Sequence, residues 1–336
     1  MRNPAKIVYY THNPILIDGN AGFTNASGVV WGSGTEADPF IIEGWDITGP
    51  RGVTRISILN ADAHFIIRGC SLHDSEASYG GSGVGLTTCR NGTIEACTSF
   101  NHDEGIIVRQ STGIVVRDCY CFNNSRGISV SGSELCLVTN NTCAGGNQYG
   151  IYLEDGSGNN TAIGNNCSYN DETGISMSNT WNNMVSYNMC ERGSRGFEVS
   201  GARSNTITNN LCRFNDEQGI YLYGTDNSVF DNDCSNNFGD GIYLILSSNN
   251  TLINNTCTNN INGIYLSAAN NNTLIDNNCS HNSFNDMALY DSNKNTITDN
   301  NCSSSGYNGV ILLFSNNNTL FKNTCNSNFY VGIGLT

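Results

Sequence analysis

Two consecutive stretches decide how this chain folds: GIYLILSSNNTLINNTCTNNIN at residues 241–262 and GIYLSAANNNTLIDNNCSHNSFN at residues 263–285. Each carries three short apolar patches separated by Asn, Ser and Gly. In the first patch, Ile264 and Leu266 alternate with Tyr265, which is the period of a β-strand. No patch is long enough for a helix, and frequent Asn and Gly oppose one.

The same pattern recurs through most of the 336 residues. A cysteine returns every 22 to 24 residues, an asparagine lies two residues before it, and an aliphatic residue lies five before it. The cysteines are Cys121, Cys143, Cys167, Cys190, Cys212, Cys234, Cys257, Cys279, Cys302 and Cys325. The asparagines are Asn141, Asn165, Asn188, Asn210, Asn232, Asn255, Asn277, Asn300 and Asn323. A second asparagine set, seven residues before the cysteine, runs from Asn160 to Asn318.

Equivalent units must occupy equivalent positions beside one another, so this repeat determines the fold. We predict an all-β right-handed parallel β-helix of about 13 coils, with three short strands per coil and inward-facing apolar and cysteine columns. Asparagines stacked about 4.8 Å apart would hydrogen-bond into ladders. A leucine-rich solenoid lacks support because its signature and its helical half are absent.

The chain is predicted to contain one continuous domain after an N-terminal segment. Residues 1–50 break the repeat and would form a cap and the first coil, and residues 51–336 would form the β-helix. The sequence stops directly after a first-strand motif, so we expect an uncapped C-terminal end. A further domain or another copy would contact that end.

Charge and cysteine content limit the partners and the compartment. The net charge of −14 and the absence of a basic patch argue against nucleic acid as a partner. No apolar run is long enough to span a membrane, and this chain shows no signal peptide, although its Asn-rich, Lys-poor composition is typical of extracellular or cell-surface proteins. The fifteen cysteines are best explained as buried free thiols, with disulfides and a metal site as alternatives.

The repeated unit GIxLxxSxNNTLxxNNC resembles the NosD-like, or carbohydrate-binding and sugar-hydrolysis, repeats of pectin lyase-like right-handed β-helices. The stretch GSGTEADPFIIEGWDI at residues 32–47 is also similar to the first segment of archaeal surface proteins in that group. The resemblance covers nearly the whole chain and implies the fold. It does not choose a function, because the family includes polysaccharide lyases, hydrolases, epimerases, a copper-enzyme maturation factor and surface proteins.

Residues of the early coils are the candidates for catalysis. The motif strings of pectinase-type hydrolases and of alginate epimerases are absent from this chain. Polar residues that could act as acid, base or metal ligand nevertheless cluster around an apparent insertion, EASYGGSG at residues 76–83. They are His73, Asp74, His102, Asp103, Glu104 and Arg109. Solvated polar turns are the competing explanation and the one we favour.

Outward tyrosines of successive coils form the second candidate, a platform for sugar rings. The candidate residues are Tyr152, Tyr221, Tyr223, Tyr243 and Tyr265. Stacked tyrosines also stabilise sheets by themselves, so a purely structural stripe is an equal alternative.

Acidic turns form the third candidate and make calcium the one metal to consider, although no EF-hand motif occurs. These turns hold Asp171, Glu172, Asp216, Glu217 and Asp240. No other cofactor is predicted. The sequence therefore favours a non-catalytic extracellular β-helix that binds a polysaccharide or cell-surface glycan, or builds a surface structure. A polysaccharide lyase, hydrolase or epimerase is the alternative.

Overall fold

The computed structural model of this protein describes residues 9–74 and 80–336. It confirms a right-handed parallel β-helix of about 13 coils. Nearly all regular structure is β-strand, and the described helices are two short 3₁₀ turns, Asn20–Gly22 and Asn25–Ser27. In the described ranges no helix is long and apolar enough to cross a bilayer. Contacts divide the chain into two compact units, Met1–Thr161 and Ala162–Thr336, and the single continuous domain stays a prediction.

The first unit is built from three parallel sheets. Sheet I has the order β1-β4-β7-β10-β13, sheet II has β2-β5-β8-β11-β14-β16, and sheet III has β3-β6-β9-β12-β15. The strands are β1 Tyr10–His12, β2 Ile15–Asp18, β3 Phe40–Glu43, β4 Trp45–Ile47, β5 Ile56–Leu59, β6 Phe65–Arg68, β7 Ser71–His73, β8 Ser82–Thr87, β9 Gly92–Glu95, β10 Thr98–Phe100, β11 Glu104–Arg109, β12 Val115–Arg117, β13 Tyr120–Phe122, β14 Arg126–Ser131, β15 Leu137–Thr139 and β16 Tyr149–Glu154, followed by β17 Thr161–Ile163 at the border.

The second unit has two parallel sheets of its own, for which we keep the numbers II and III: the strand orders are β18-β20-β22-β24-β26-β28-β30-β32 and β19-β21-β23-β25-β27-β29-β31. Single bridges occur at the third side of its coils. Its strands are β18 Thr173–Ser178, β19 Met184–Ser186, β20 Arg195–Arg203, β21 Thr206–Thr208, β22 Ile220–Thr225, β23 Ser228–Phe230, β24 Ile242–Ile245, β25 Thr251–Ile253, β26 Ile264–Ser267, β27 Thr273–Ile275, β28 Asn285–Tyr290, β29 Thr296–Thr298, β30 Asn308–Leu313, β31 Thr319–Phe321 and β32 Val331–Leu335.

The core consists of the predicted inward columns. Ile242 pairs in register with Ile264, and Leu252 with Leu274, and all four side chains are fully buried. The cysteines form a third column, and every cysteine is a free thiol that is buried, except Cys325, which is half-buried. Free cysteine suits this position because it packs like a small apolar residue.

The asparagine ladders are confirmed, and each ladder side chain also forms hydrogen bonds with the backbone of a neighbouring coil. The Asn255 side chain donates to Asn277 Oδ1 at 2.9 Å and to the Val229 carbonyl at 2.9 Å. Its own Oδ1 accepts from the Asn232 backbone N–H at 3.1 Å and from the Asn232 amide at 3.0 Å. Each ladder position therefore satisfies backbone groups at the turn between two strands, where the sheet cannot.

The turns between strands use the left-handed backbone at the residue before each ladder asparagine. Asn254 has φ 54° and Asn209 has φ 55°, whereas the ladder residues that follow them have negative φ. This turn position accepts several residue types, since His281 and Lys294 occupy it with φ 63° and 57°. The ladder asparagines are thus selected for their amide bonds, and their neighbours for the turn.

In the first unit, cysteines replace asparagines in two of these columns. The Cys119 N–H donates to Asn141 Oδ1 at 3.0 Å, and the Cys136 N–H donates to Asn160 Oδ1 at 2.9 Å. The early coils thus keep the geometry of the repeat while changing its chemistry.

Candidate functional site

His73 is held between two carboxylates at the end of β7. Its Nδ1 lies 2.7 Å from Asp74 Oδ2, and its Nε2 lies 3.0 Å from Asp46 Oδ1. The ring stacks on Phe100 of the neighbouring strand at 5.2 Å. Burial alone would lower the pKa of His73, but the hydrogen bonds to Asp74 and Asp46 outweigh it and raise the pKa. The two carboxylates therefore favour the protonated form of His73.

Asp74 is bonded to the next coil as well. The Asn101 side chain donates to Asp74 Oδ1 at 3.0 Å, and the bonds from Asn101 and His73 lower the pKa of Asp74. The predicted pair of His73 and Asp74 therefore meets Asn101 and Phe100 across the coils. Residues 76–79 of the predicted insertion lie outside the described residues.

His102 lies inside the fold. Its side chain is fully buried, and its backbone N–H donates to Asn124 Oδ1 at 3.0 Å, so it occupies a ladder column that Asn fills in later coils. Burial lowers the pKa of His102 to about 4, which keeps the ring neutral at physiological pH. Asp103 is half-buried, and its backbone bonds to Gly81 and Arg126.

Glu104 and Arg109 form a separate cluster on sheet II. The Glu104 side chain is 5% exposed, 2.8 Å from Arg109 and 3.6 Å from Arg126, which also contacts Glu154 at 2.9 Å. Burial raises the pKa of Glu104, and the two arginines oppose that rise. The structure thus divides the six sequence candidates among a surface histidine, a buried histidine and a buried carboxylate.

The tyrosine stripe, which we define as Tyr221, Tyr243 and Tyr265, follows three consecutive strands of sheet II in the second unit. Tyr221 pairs in register with Tyr243, and Tyr243 with Tyr265. The ring centroids are 5.7 Å apart for the first pair, which is T-shaped, and 5.0 Å apart for the second, which is stacked. The three tyrosines therefore form one row of half-buried rings across the strands, and their use as a sugar platform stays a prediction.

The other two predicted tyrosines have different surroundings. Tyr223 is exposed and lies two residues after Tyr221 on the same face. Tyr152 belongs to the first unit, where the Arg126 guanidinium lies 4.3 Å from its ring centroid and Tyr149 packs at 5.2 Å.

Two features were missed in the sequence. An open cavity of 630 Å³ in the first unit is lined by Tyr10, Trp45, Glu43, Arg68 and Glu95, among others. In the second unit, Phe284, Tyr307 and Tyr330 form an aromatic column beside a row of hydrogen-bonded amides, of which Asn285 and Asn308 are buried. The available signal was the 23-residue spacing of Asn262, Asn285 and Asn308, which fall just before or at the start of a first strand and look like turn residues.

These features define a parallel β-helix with an aromatic outer face. The sequence profile of the family described as "Periplasmic copper-binding protein (NosD)" matches residues 46–218 and 211–336, so the chain belongs to the NosD family. No curated protein matches the sequence.

Two solved structures illustrate the likeness. The periplasmic alginate epimerase AlgG is 15% identical, with a TM-score of 0.52, and the match covers 81% of this chain and 78% of that chain. The Dettilon tailspike protein is 15% identical, with a TM-score of 0.55, and the match covers 79% of this chain and 58% of that chain. At this identity, both similarities show the fold alone.

The described residues do not fit a copper or calcium site. Within residues 9–74 and 80–336, no group of three or more His, Cys, Asp or Glu side chains could hold a metal. Burial raises the pKa of Cys257 well above its ordinary value, which opposes the thiolate that copper would require. In the acidic turns, Glu217 pairs with Arg195 at 2.7 Å, and Asp240 accepts the Asn262 amide at 2.7 Å.

Proposed function

We propose that this protein is a non-catalytic extracellular β-helix that binds an extended carbohydrate on the second unit. The observation that carries this proposal is the in-register row of the tyrosine stripe, in which Tyr243 stacks on Tyr265 at 5.0 Å and meets Tyr221 edge to face at 5.7 Å. The apolar C–H groups of a sugar would pack against the aromatic carbon that this row leaves exposed, and neighbouring polar groups would bind its hydroxyls. Because the stripe crosses the strands, a bound chain would run from coil to coil.

The proposed location is outside the cytoplasm. The description of the family is periplasmic, and the chain has many Asn, Ser and Thr residues but three lysines. A polysaccharide or cell-surface glycan is the proposed partner in that compartment.

The binding proposal is tested by retention of the purified chain on immobilised polysaccharides. The Tyr243→Ala/Tyr265→Ala double variant should lose retention that the wild type shows. The matched control is Tyr169→Ala/Tyr187→Ala, which removes two exposed tyrosines from turns outside sheet II. Equal retention of the wild type and the stripe variant would contradict the proposal.

A second candidate function is chemistry on a polysaccharide at His73. Its support is the imidazole held at 2.7 Å and 3.0 Å between two carboxylates, with a raised pKa that suits a general acid. Incubation with acidic and neutral polysaccharides should then give shorter or unsaturated chains. His73→Gln should abolish that product while leaving retention intact, and an active His73→Gln protein would eliminate this candidate.

A further inference from the structure

A third asparagine ladder runs through the second unit, three residues after the cysteine of most coils. The Asn237 backbone N–H donates to Asn260 Oδ1 at 2.8 Å, and the Asn260 backbone N–H donates to Asn282 Oδ1 at 2.9 Å. Each asparagine therefore accepts a bond from the turn of the coil before it. The coil after Asn282 has Ser305 at this position, and the ladder resumes with Asn328, which accepts the Ser305 N–H at 2.9 Å. Serine has no amide, so the turn at Asn282 needs another acceptor.

A column of glycines lies against this ladder. A Cβ atom on Gly241 would lie 2.8 Å from the Asn260 amide nitrogen, and a Cβ atom on Gly263 would lie 2.7 Å from the Asn282 amide nitrogen. Both distances are too short for a side chain. The ladder amide of the following coil is therefore one of the groups that keep side chains out of this column.

Asp286 takes the place of glycine in one coil of this column. It lies in register between Gly263 and Gly309, and its side chain is fully buried. The coil that follows Asp286 is the one that has Ser305 in the ladder. Because a serine side chain is shorter than an asparagine side chain, the aspartate can extend to where the ladder amide lies in other coils.

The Asp286 carboxyl forms the hydrogen bonds of a ladder amide. Its Oδ1 accepts the Asn282 backbone N–H at 3.2 Å and the Asn282 side-chain amide at 3.0 Å. In the regular part of the ladder, Asn237 Oδ1 accepts the same two donors from Asn215, at 3.0 and 3.1 Å. The pair of Asp286 and Ser305 thus replaces the pair of glycine and asparagine of neighbouring coils, and a carboxyl replaces an amide.

This replacement puts a titratable group into a buried position. The groups whose pKa the aspartate charge raises are thiols of the cysteine column, namely Cys279, Cys302 and Cys325. The basic residues of this region are exposed turn residues, namely His281, Lys294 and Lys322. Among the described residues, Asp286 Oδ2 and Ser305 Oγ have no hydrogen-bond partner. A buried carboxylate without a cation is costly, and burial raises the pKa of Asp286 to about 7.

We propose that Asn282, Asp286 and Ser305 form a pH-dependent clasp in the second unit. With its carboxyl protonated, Asp286 closes the turn from Asn282 in place of the ladder amide. With its carboxyl ionised, the buried charge favours opening of this turn. The turn contains Phe284, whose ring stacks on Tyr307 of the next coil at 5.0 Å, so the clasp links pH to an aromatic pair at the surface. This inference goes beyond the proposed function and does not depend on it.

Hydrogen exchange of the full chain tests the clasp by comparing two turns of the same molecule. The turn from Asn282 to Asp286 is compared with the equivalent turn from Asn260 to Gly263, whose ladder is complete. We expect the ratio of their exchange rates to rise at least about tenfold between pH 4 and pH 7 and to level off above, since the open turn releases the proton. A ratio that does not change with pH would overturn the proposal.

The matched control is Asp286→Asn, which keeps the shape of the side chain and removes its titration. Its ratio should not change with pH, and a ratio that rises as in the wild type would overturn the assignment to Asp286. This comparison needs no variant that alters the packing of the column.

A second variant tests the role of Ser305 by restoring the regular pair. Asp286→Gly alone leaves the Asn282 N–H without its acceptor, so its turn should exchange faster than that of the wild type at pH 4. Asp286→Gly/Ser305→Asn supplies a ladder amide again and should bring exchange back to about the rate of the turn at Asn260, at both pH values. If the double variant exchanges as fast as Asp286→Gly, Ser305 is not the counterpart of Asp286 and the clasp as proposed is wrong.

Discussion

The two units use one coil geometry and carry opposite surface chemistry. On sheet III of the first unit, the register column Glu43, Arg68, Glu95 and Arg117 alternates in charge, and neighbouring members form ion pairs at both ends of the column. In the second unit, the equivalent outward column reads Thr298, Phe321 and similar uncharged residues. The coil therefore fixes the backbone and leaves the outward columns free to vary. Ionisable groups collect in the irregular coils, and aromatic and amide rows in the regular ones.

The interiors of the two units also differ in the chemistry of their turn columns. The second unit fills its turn columns with asparagine, whereas the first unit places Cys70, Cys97 and Cys119 in one of them and His102 in another. A thiol offers one weak donor, and an amide offers two donors and an acceptor. The regular coils should therefore depend on their ladder side chains more strongly than the early coils do.

The largest expected effect comes from breaking that ladder. Asn255→Ala leaves the Asn232 N–H and the Val229 carbonyl without their ladder partner and ends the Asn255–Asn277 bond. Each buried polar group without a partner costs about 1–3 kcal/mol, so we expect the free energy of unfolding to fall by about 3–5 kcal/mol. Chemical denaturation followed by circular dichroism measures the change.

The matched variant in the first unit is Cys97→Ala, at the equivalent column position. It removes one small buried side chain with a weak hydrogen bond to the Ile67 carbonyl at 3.7 Å, so the expected loss is about 1–2 kcal/mol. Equal losses for Asn255→Ala and Cys97→Ala would show that ladder chemistry does not distinguish the units.

An intermediate effect is expected at Asp286, which interrupts a glycine column. The coils on either side place Gly263 and Gly309 at this position, and the Asp286 side chain is fully buried against Asn282. Burial raises the pKa of Asp286 from 3.8 to about 7. The folded state therefore holds a proton that the unfolded chain releases near pH 4, and the stabilisation is lost as the pH rises towards 7.

The difference between the wild type and Asp286→Asn isolates this titration. We expect the wild type to lose on the order of 3 kcal/mol relative to the variant between about pH 4 and pH 7. Denaturation curves collected across that range give the difference directly. A difference that does not depend on pH would mean that Asp286 is not protonated in the folded chain.

The sequence predicted the parts of this structure that repeat. Ile264 and Leu266 alternate with Tyr265, which predicts a strand. The regular interval between successive cysteines, such as Cys257 and Cys279, predicts which residues stack on one another. Both signals are local or periodic, so one chain is enough to read them. The inward columns, the cysteine burial and the asparagine ladders followed from those signals.

Parts of the candidate site could not be predicted because they depend on side chains that do not follow the repeat. His102 and His73 lie in neighbouring coils, yet one is a ladder residue and the other faces Asp46, and the irregular intervals of the early coils conceal this difference. The aromatic column of Phe284, Tyr307 and Tyr330 was overlooked because its members lie in turns, such as Tyr307 directly before the strand Asn308–Leu313. The neighbours of a turn residue are determined only when its coil stacks on the next coil.

The smallest expected effect tests the charged column of the first unit. Arg117→Ala removes the ion pair with Glu95, in which the Arg117 side chain is 49% exposed. Exposed pairs contribute about 0–1 kcal/mol and are screened by salt, so we expect a loss of that size at about 0.05 M NaCl that disappears at about 1 M. Thr298→Ala, in the same outward column of the second unit, should give a change that salt does not alter. A salt-independent loss for Arg117→Ala would mean that the aliphatic part of the side chain stabilises the coil by packing along the sheet. The two surfaces would then differ in packing and not in charge.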